Sequence, residues 1–164
     1  MGRQNGYVYL FLLYLLVILS LSGLAMATLW HYERVRSDEQ ELLRIGNEFR
    51  TALKSYHQAR EPRVFPTTIE DLLADDRDGK TKRHLRKRYF DPMTRTQEWG
   101  VVLRQGRIVA IHSLSDRQPL KVAGFSLLDS AFKGSERYSE WIFSAVALER
   151  GEGAPESSER AADR

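Results

Sequence analysis

Asp76, Asp78 and Gly79 have the spacing of the third, fifth and sixth positions of a calcium-binding EF-hand loop. That register places Ala74 where the first acid belongs and Leu85 where a bidentate glutamate closes the loop. Neither can ligate, so the stretch reads as a solvated acidic turn. His31, His57, His84 and His112 lie far apart and show no paired-ligand spacing, which leaves them as ordinary surface or half-buried histidines. Ser113 and Ser115 stand beside His112, but a serine nucleophile also needs an oxyanion site, and no G-x-S-x-G or glycine-rich phosphate loop is present. Asp91-Pro92 is expected to turn the chain rather than to supply an acid. Cysteine is absent, which excludes disulfides, thiolate nucleophiles and Cys-ligated metal centres. No catalytic residue, metal or cofactor is expected.

The strongest charge feature is residues 80–88, with six Lys/Arg in nine residues plus His84. Such a cluster suits phosphate or anionic lipid, or acids on a neighbouring subunit, for which Glu136, Glu140 and Asp129 are the candidates. With 25 Lys/Arg against 22 Asp/Glu the net charge is only +3, so nucleic acid is not expected as a partner.

The 164 residues suit one domain with attachments. Residues 7–30 hold 20 apolar or aromatic residues of 24 and no charge. As a helix they would span roughly 36 Å, more than the ~30 Å of bilayer hydrocarbon, which predicts a tilted transmembrane helix. Ser20, Ser22 and Thr28 are tolerable there because a small hydroxyl can bond back to the helix backbone. Tyr7, Tyr9, Trp30 and Tyr32 fall at the two ends, where amphipathic rings favour the interface. Arg34, Arg36, Arg44 and Arg50 follow the run while Arg3 precedes it, a balance that by charge alone places the C-terminal part in the cytoplasm. Ala25-Met26-Ala27 has the small-residue pattern of a signal-peptidase site, so release of a small secreted protein after Ala27 is a further possibility.

Beyond Trp30 the pattern turns amphipathic, with Leu42, Ile45, Phe49, Ala52, Leu53 and Tyr56 at spacings of three and four. No proline occurs before Pro62, so one helix over residues 7–59 and two helices hinged near Ser37-Asp38 are both open. Gly46 weakens this helix by about 1 kcal/mol of propensity. A turn into a short helix is expected over residues 65–73, capped by Thr68 with Asp71 three positions on. A further helical turn is expected over residues 82–88. Strands are expected over residues 99–103, 108–114 and 141–148, the first two joined through Gln105-Gly106. Trp99 and Trp141 open alternating strands and belong in the core. Residues 149–164, dominated by Gly, Pro, Ser, Ala and charges, are expected to be disordered. The fold class is therefore α+β, a long N-terminal helix, membrane-spanning in its first half, packed on a small antiparallel sheet.

Gly6-Tyr7 after a short polar leader with Arg3 resembles a prepilin peptidase site. Residues 83–94, which include Tyr89-Phe90-Asp91-Pro92, together with Glu98-Trp99, residues 111–115, Pro119-Leu120-Lys121 and residues 138–143, resemble the G-type pseudopilins of type II secretion systems, within the type IV pilin-like superfamily. The resemblance covers nearly the whole chain except the tail. It implies a leader at residues 1–6 removed after Gly6, methylation of Tyr7, a transmembrane helix at 7–30, a periplasmic domain at 31–148 and a polar tail at 149–164. It implies a single-pass protein of the bacterial inner membrane that exports proteins by assembling, not by catalysis. The implied partners are other pseudopilin subunits, prepilin peptidase, an inner-membrane assembly platform and membrane lipid. Leu10, Leu12, Leu13 and Leu16 would form the helix-packing seam. The family's glutamate at the fifth mature position, which registers neighbouring subunits, falls on Phe11, a departure that some minor pseudopilins share. The calcium loop of the major G subunit has no counterpart near the C-terminus. The periplasmic placement opposes the charge count. A membrane-anchored periplasmic adaptor that never polymerises fits the same anchor.

Overall fold

A computed structural model describes residues 5–77 and 79–146; the side chains of residues 5, 6, 21–29 and 31 lie outside that description. One α-helix, α1, runs without a break over Asn5–Gln58. Its helical hydrogen bonding continues through Ser37-Asp38, so the two-helix alternative is not what forms. The chain nevertheless divides at that point into two compact units, Met1–Ser37 and Asp38–Arg164. Among the described residues no helix is long and apolar enough to cross a membrane, the side chains of residues 21–29 in the C-terminal part of the expected span being outside them.

The second unit is α+β. After α1 come a one-turn helix α2 (Glu70–Leu73) and a three-stranded antiparallel sheet of β1 (Gly100–Arg104), β2 (Arg107–His112) and β3 (Phe143–Ser144). Two 3-10 turns, Leu127–Phe132 and Tyr138–Glu140, lie between β2 and β3. The expected hairpin forms: Arg104 pairs with Arg107, and Gln105 and Gly106 both take positive φ (53° and 71°), as a two-residue type I′ connection requires. The register slips between Val102 and Leu103, which leaves Val109 opposite no partner. β2 is the central strand, buried on both faces from Ile108 to His112. The third strand is shorter than the expected 141–148: only Phe143 and Ser144 pair with β2, and residues 147 and 148 lie outside the described ones.

The apolar stripe of α1 fills the core as its periodicity predicts. Leu42, Ile45, Phe49, Ala52, Leu53 and Tyr56 are all buried, in one cluster with Trp99, Ile111, Trp141 and Phe143. Phe49 meets Trp99 at 5.2 Å between ring centroids, and each such side chain contributes roughly 1.5–3 kcal/mol by leaving water. Gly46 has a packing reason that its propensity hides. A Cβ there would lie 2.3 Å from the Phe143 ring, so only glycine lets β3 approach the helix this closely.

Two connections explain themselves locally. Ahead of α2 the Asp71 carboxylate accepts the backbone N–H of Thr68 (2.9 Å), and the Thr68 hydroxyl accepts the N–H of Asp71 (3.3 Å), the reciprocal pair expected. Residues 82–88 do not form the expected helical turn. Lys82 pairs instead with Asp75 in an antiparallel bridge, and the N–H groups of His84 and Leu85 both donate to the Leu72 carbonyl. As a helix this stretch would stack like charges three and four apart, Arg83 with Arg86 and Lys82 with Arg86, which opposes that conformation.

Candidate functional site

In the first unit, every described side chain from Tyr7 to Ser20 is exposed. Tyr7 is 78% exposed and Leu13, at 43%, is among the least exposed of the run. The seam residues Leu10, Leu12, Leu13 and Leu16 and the registration position Phe11 all belong to this uncovered surface. A helix apolar on every side is stable only where something else keeps water away, in lipid or inside a bundle. Ser20 hides its hydroxyl by donating to the Leu16 carbonyl at 2.8 Å, as expected for a polar residue on such a helix. Trp30 and Tyr32 are exposed too. Gly6 belongs to α1, and its burial lies outside the description, as do Arg3 and the rest of residues 1–4.

In the second unit the notable polar groups are inside, and they hold the later elements to α1. Arg50 and Asp129, both buried, pair at 3.0 Å. Arg50 also donates to the carbonyls of Ser144 (3.2 Å) and Leu128 and to the Asn47 side chain, while Ser126 donates to the other Asp129 oxygen at 2.7 Å. Asp129 is therefore not among the acids open to a neighbouring subunit; Arg50 has already taken it. Glu39, equally buried, accepts the Leu120 and Lys121 N–H groups (2.7 and 3.0 Å) and the Tyr138 hydroxyl (3.0 Å). Burial, then the Glu39 charge, pushes the Tyr138 phenol well above its usual range. Asp91 accepts from the Met93 N–H (2.8 Å) and the Ser113 hydroxyl (2.6 Å), so Asp91-Pro92 does turn the chain and also anchors the end of β2. Ser113 thus bonds Asp91, whereas His112 faces the Ser113 carbonyl and the space left by Gly100.

One constellation escaped the sequence. The Ser55 hydroxyl lies 2.8 Å from His84 Nδ1, and His84 Nε2 lies 3.2 Å from Asp75 Oδ2. This is a Ser–His–Asp order assembled from residues 29 and 9 apart. The His84 side chain has no exposed surface, and Ser55 sits inside a regular helix, where its own N–H belongs to the helical ladder. A neutral ring with its proton on Nε2 would accept from Ser55 and donate to Asp75. Burial lowers the His84 pKa more than the Asp75 hydrogen bond raises it. Arg77, bonded to Asp75 at 2.6 and 2.7 Å and lying over the Tyr56 ring, holds that carboxyl far below its usual range. No spacing rule joins these residues; the Asp75–Lys82 bridge brings them together. Among the described residues no group of three or more His, Asp or Glu could hold a metal ion.

Comparison with family models, with curated proteins and with solved structures found no match to this chain.

Proposed function

We propose that this chain is a pseudopilin-like subunit of a type II secretion or related type IV filament machine. It is matured after Gly6, anchored in the bacterial inner membrane through residues 7–30, and carries its α+β domain in the periplasm. It acts by assembling with other pseudopilin subunits through Leu10, Leu12, Leu13 and Leu16, and it catalyses nothing. Prepilin peptidase and an inner-membrane platform are the partners of maturation and extraction. The observation that carries this reading is the division of labour along α1. Its first stretch exposes apolar side chains on all sides, while its later stretch is the core of a small α+β domain. Such a helix must be covered by lipid in one state and by like helices in another, which is what a subunit moving from bilayer to filament does.

Phe11 in place of glutamate fits a subunit that does not depend on pairing with a neighbour's amino terminus, since a carboxylate in lipid is costly unless paired. The test is the intact mass and N-terminal sequence of the protein from its native membrane. A start at methylated Tyr7 is expected. A start at Thr28 would make it a secreted protein, and an unprocessed start would leave a plain anchored adaptor. A bulky residue at Gly6 separates the readings again, because only the pseudopilin loses maturation.

A further inference from the structure

Residues 80–88 carry six of the 25 Lys/Arg, and the other 19 stand against 22 acids, so the rest of the chain is net negative. The segment is held in place from below. Lys82 exchanges two backbone hydrogen bonds with Asp75 (2.8 and 2.9 Å), and His84 and Leu85 donate to Leu72 at 2.9 and 2.8 Å. Leu85 is buried in the core and His84 is clamped between Ser55 and Asp75. With those two residues turned inward, Lys80, Lys82, Arg83 and Arg86 are exposed, and none has an ion-pair partner among the described residues.

The ridge runs directly into a groove of about 280 Å³, whose lining includes Lys87, Arg88, Phe90, Pro92, Arg95 and Ile45. The groove's own acids are engaged, Asp38 with Arg95 at 2.7 Å and Glu41 with Arg44 at 2.8 Å. Phe90 is 57% exposed among these cations.

We propose that this ridge and groove form a docking surface for an acidic segment of another protein, with carboxylates on Lys80, Lys82, Arg83 and Arg86 and an apolar side chain against Phe90. These four cations have no ion-pair partner among the described residues, and because the backbone of their segment is already fixed, only side-chain freedom is lost on meeting anions. Beside its charged residues the groove presents Phe90, Pro92 and Ile45, a mixed lining that suits an anion also carrying hydrocarbon, as a peptide of acids and aliphatic residues does. In a second copy of this chain Glu41, Glu61, Glu70 and Asp116 have basic partners and Asp75 and Asp129 are buried, which leaves exposed acids such as Glu98, Glu136 and Glu140 as the rival donors. Self-association through this face in place of peptide binding would overturn the proposal. The surface belongs wholly to the second unit and does not rest on what the apolar helix does.

The test is fluorescence anisotropy with the full chain in detergent. The probes are a short labelled peptide of repeating aspartate, glutamate and leucine, its amide counterpart of asparagine, glutamine and leucine, and an oligothymidylate. The acidic peptide should bind, and added salt should weaken it. Arg83→Glu with Arg86→Glu should cost about tenfold or more in affinity. Phe90→Ala should weaken the acidic peptide while leaving its salt dependence unchanged. All three positions are exposed, so thermal unfolding of the variants should match the parent. Equal binding of the amide peptide, or no effect of the double reversal, would overturn the proposal. Tighter binding of oligothymidylate would also overturn it, by making this a nucleic-acid surface.

Discussion

The two stretches of α1 are built from the same apolar residue types and end in opposite states. From Tyr7 to Leu19 leucines, tyrosines and Phe11 point in every direction, and every one of them is exposed. From Leu42 to Tyr56 the apolar residues keep to one stripe, and all of the stripe is buried against the sheet and its connections. What differs is arrangement. A stripe can be covered by elements from the same chain, whereas a cylinder needs a surrounding that the chain alone does not supply. Even the polar residues divide this way. Ser20 turns back on its own helix, while Glu39 and Arg50 reach out to residues about 80 positions later.

The most severe way to break the buried side is at its ion pair. Asp129→Ala leaves the Arg50 guanidinium buried without a counter-charge and should destabilise the second unit by about 3–5 kcal/mol, seen as a lower denaturation midpoint. Replacing both residues with apolar ones of similar volume should recover most of that loss; if the double variant is no better than the single, the cost lies in lost packing rather than in stranded charge. On the exposed side the expectation inverts. With the chain anchored as proposed, Leu13→Asp should leave unfolding of the second unit unchanged yet oppose membrane insertion by about 2.5–3.5 kcal/mol, read as protein extracted from membranes by alkali. If it lowers the unfolding midpoint instead, Leu13 supports the fold and the contrast between the two stretches is wrong.

How far the sequence could be read follows from which interactions are periodic. The helix stripe, the Gln105-Gly106 turn, the Thr68/Asp71 cap and the core tryptophans each rest on a local spacing, and each formed where expected. The failures were long-range. Residues 82–88 gave up a helical turn to a bridge with Asp75, and Asp129 became a buried partner of a helix residue 79 positions away. Ser55, His84 and Asp75 meet only because that bridge folds one loop over the helix. Of the candidate site, the uncovered helix was legible from composition. The docking groove was not, because its lining comes from α1 and from the separate stretch of residues 87–95.

Gly46→Ala sharpens the comparison at the closest approach in the domain. In an exposed helix this change should stabilise by up to about 1 kcal/mol. Here the new methyl meets the Phe143 ring, so a loss of about 1–3 kcal/mol is expected, the usual cost of overpacking. Phe143→Leu in the same chain should make the two changes less than additive. Strict additivity would show that Phe143 is not what glycine accommodates.

The smallest effect expected is a dependence on pH. His84 faces Ser55, Asp75 and the Tyr56 ring, with Arg77 and Lys82 close enough to disfavour its charge. Its folded pKa is below the ordinary histidine value of about 6.5, so the unfolded chain takes up the proton first. Stability from this ring is therefore complete above about pH 6.5 and declines as pH falls from there through the folded pKa, the reverse of a histidine that gains an anionic partner. Asp75, held far below its usual range by Arg77, keeps its contribution throughout that window and loses it only in stronger acid. The decline should appear in unfolding of the second unit between neutral and mildly acidic pH and be absent in His84→Gln, whose amide can still bridge Ser55 and Asp75 without titrating. A variant that keeps the full decline would move its origin to another histidine and leave the Ser55–His84–Asp75 clamp with no part in it.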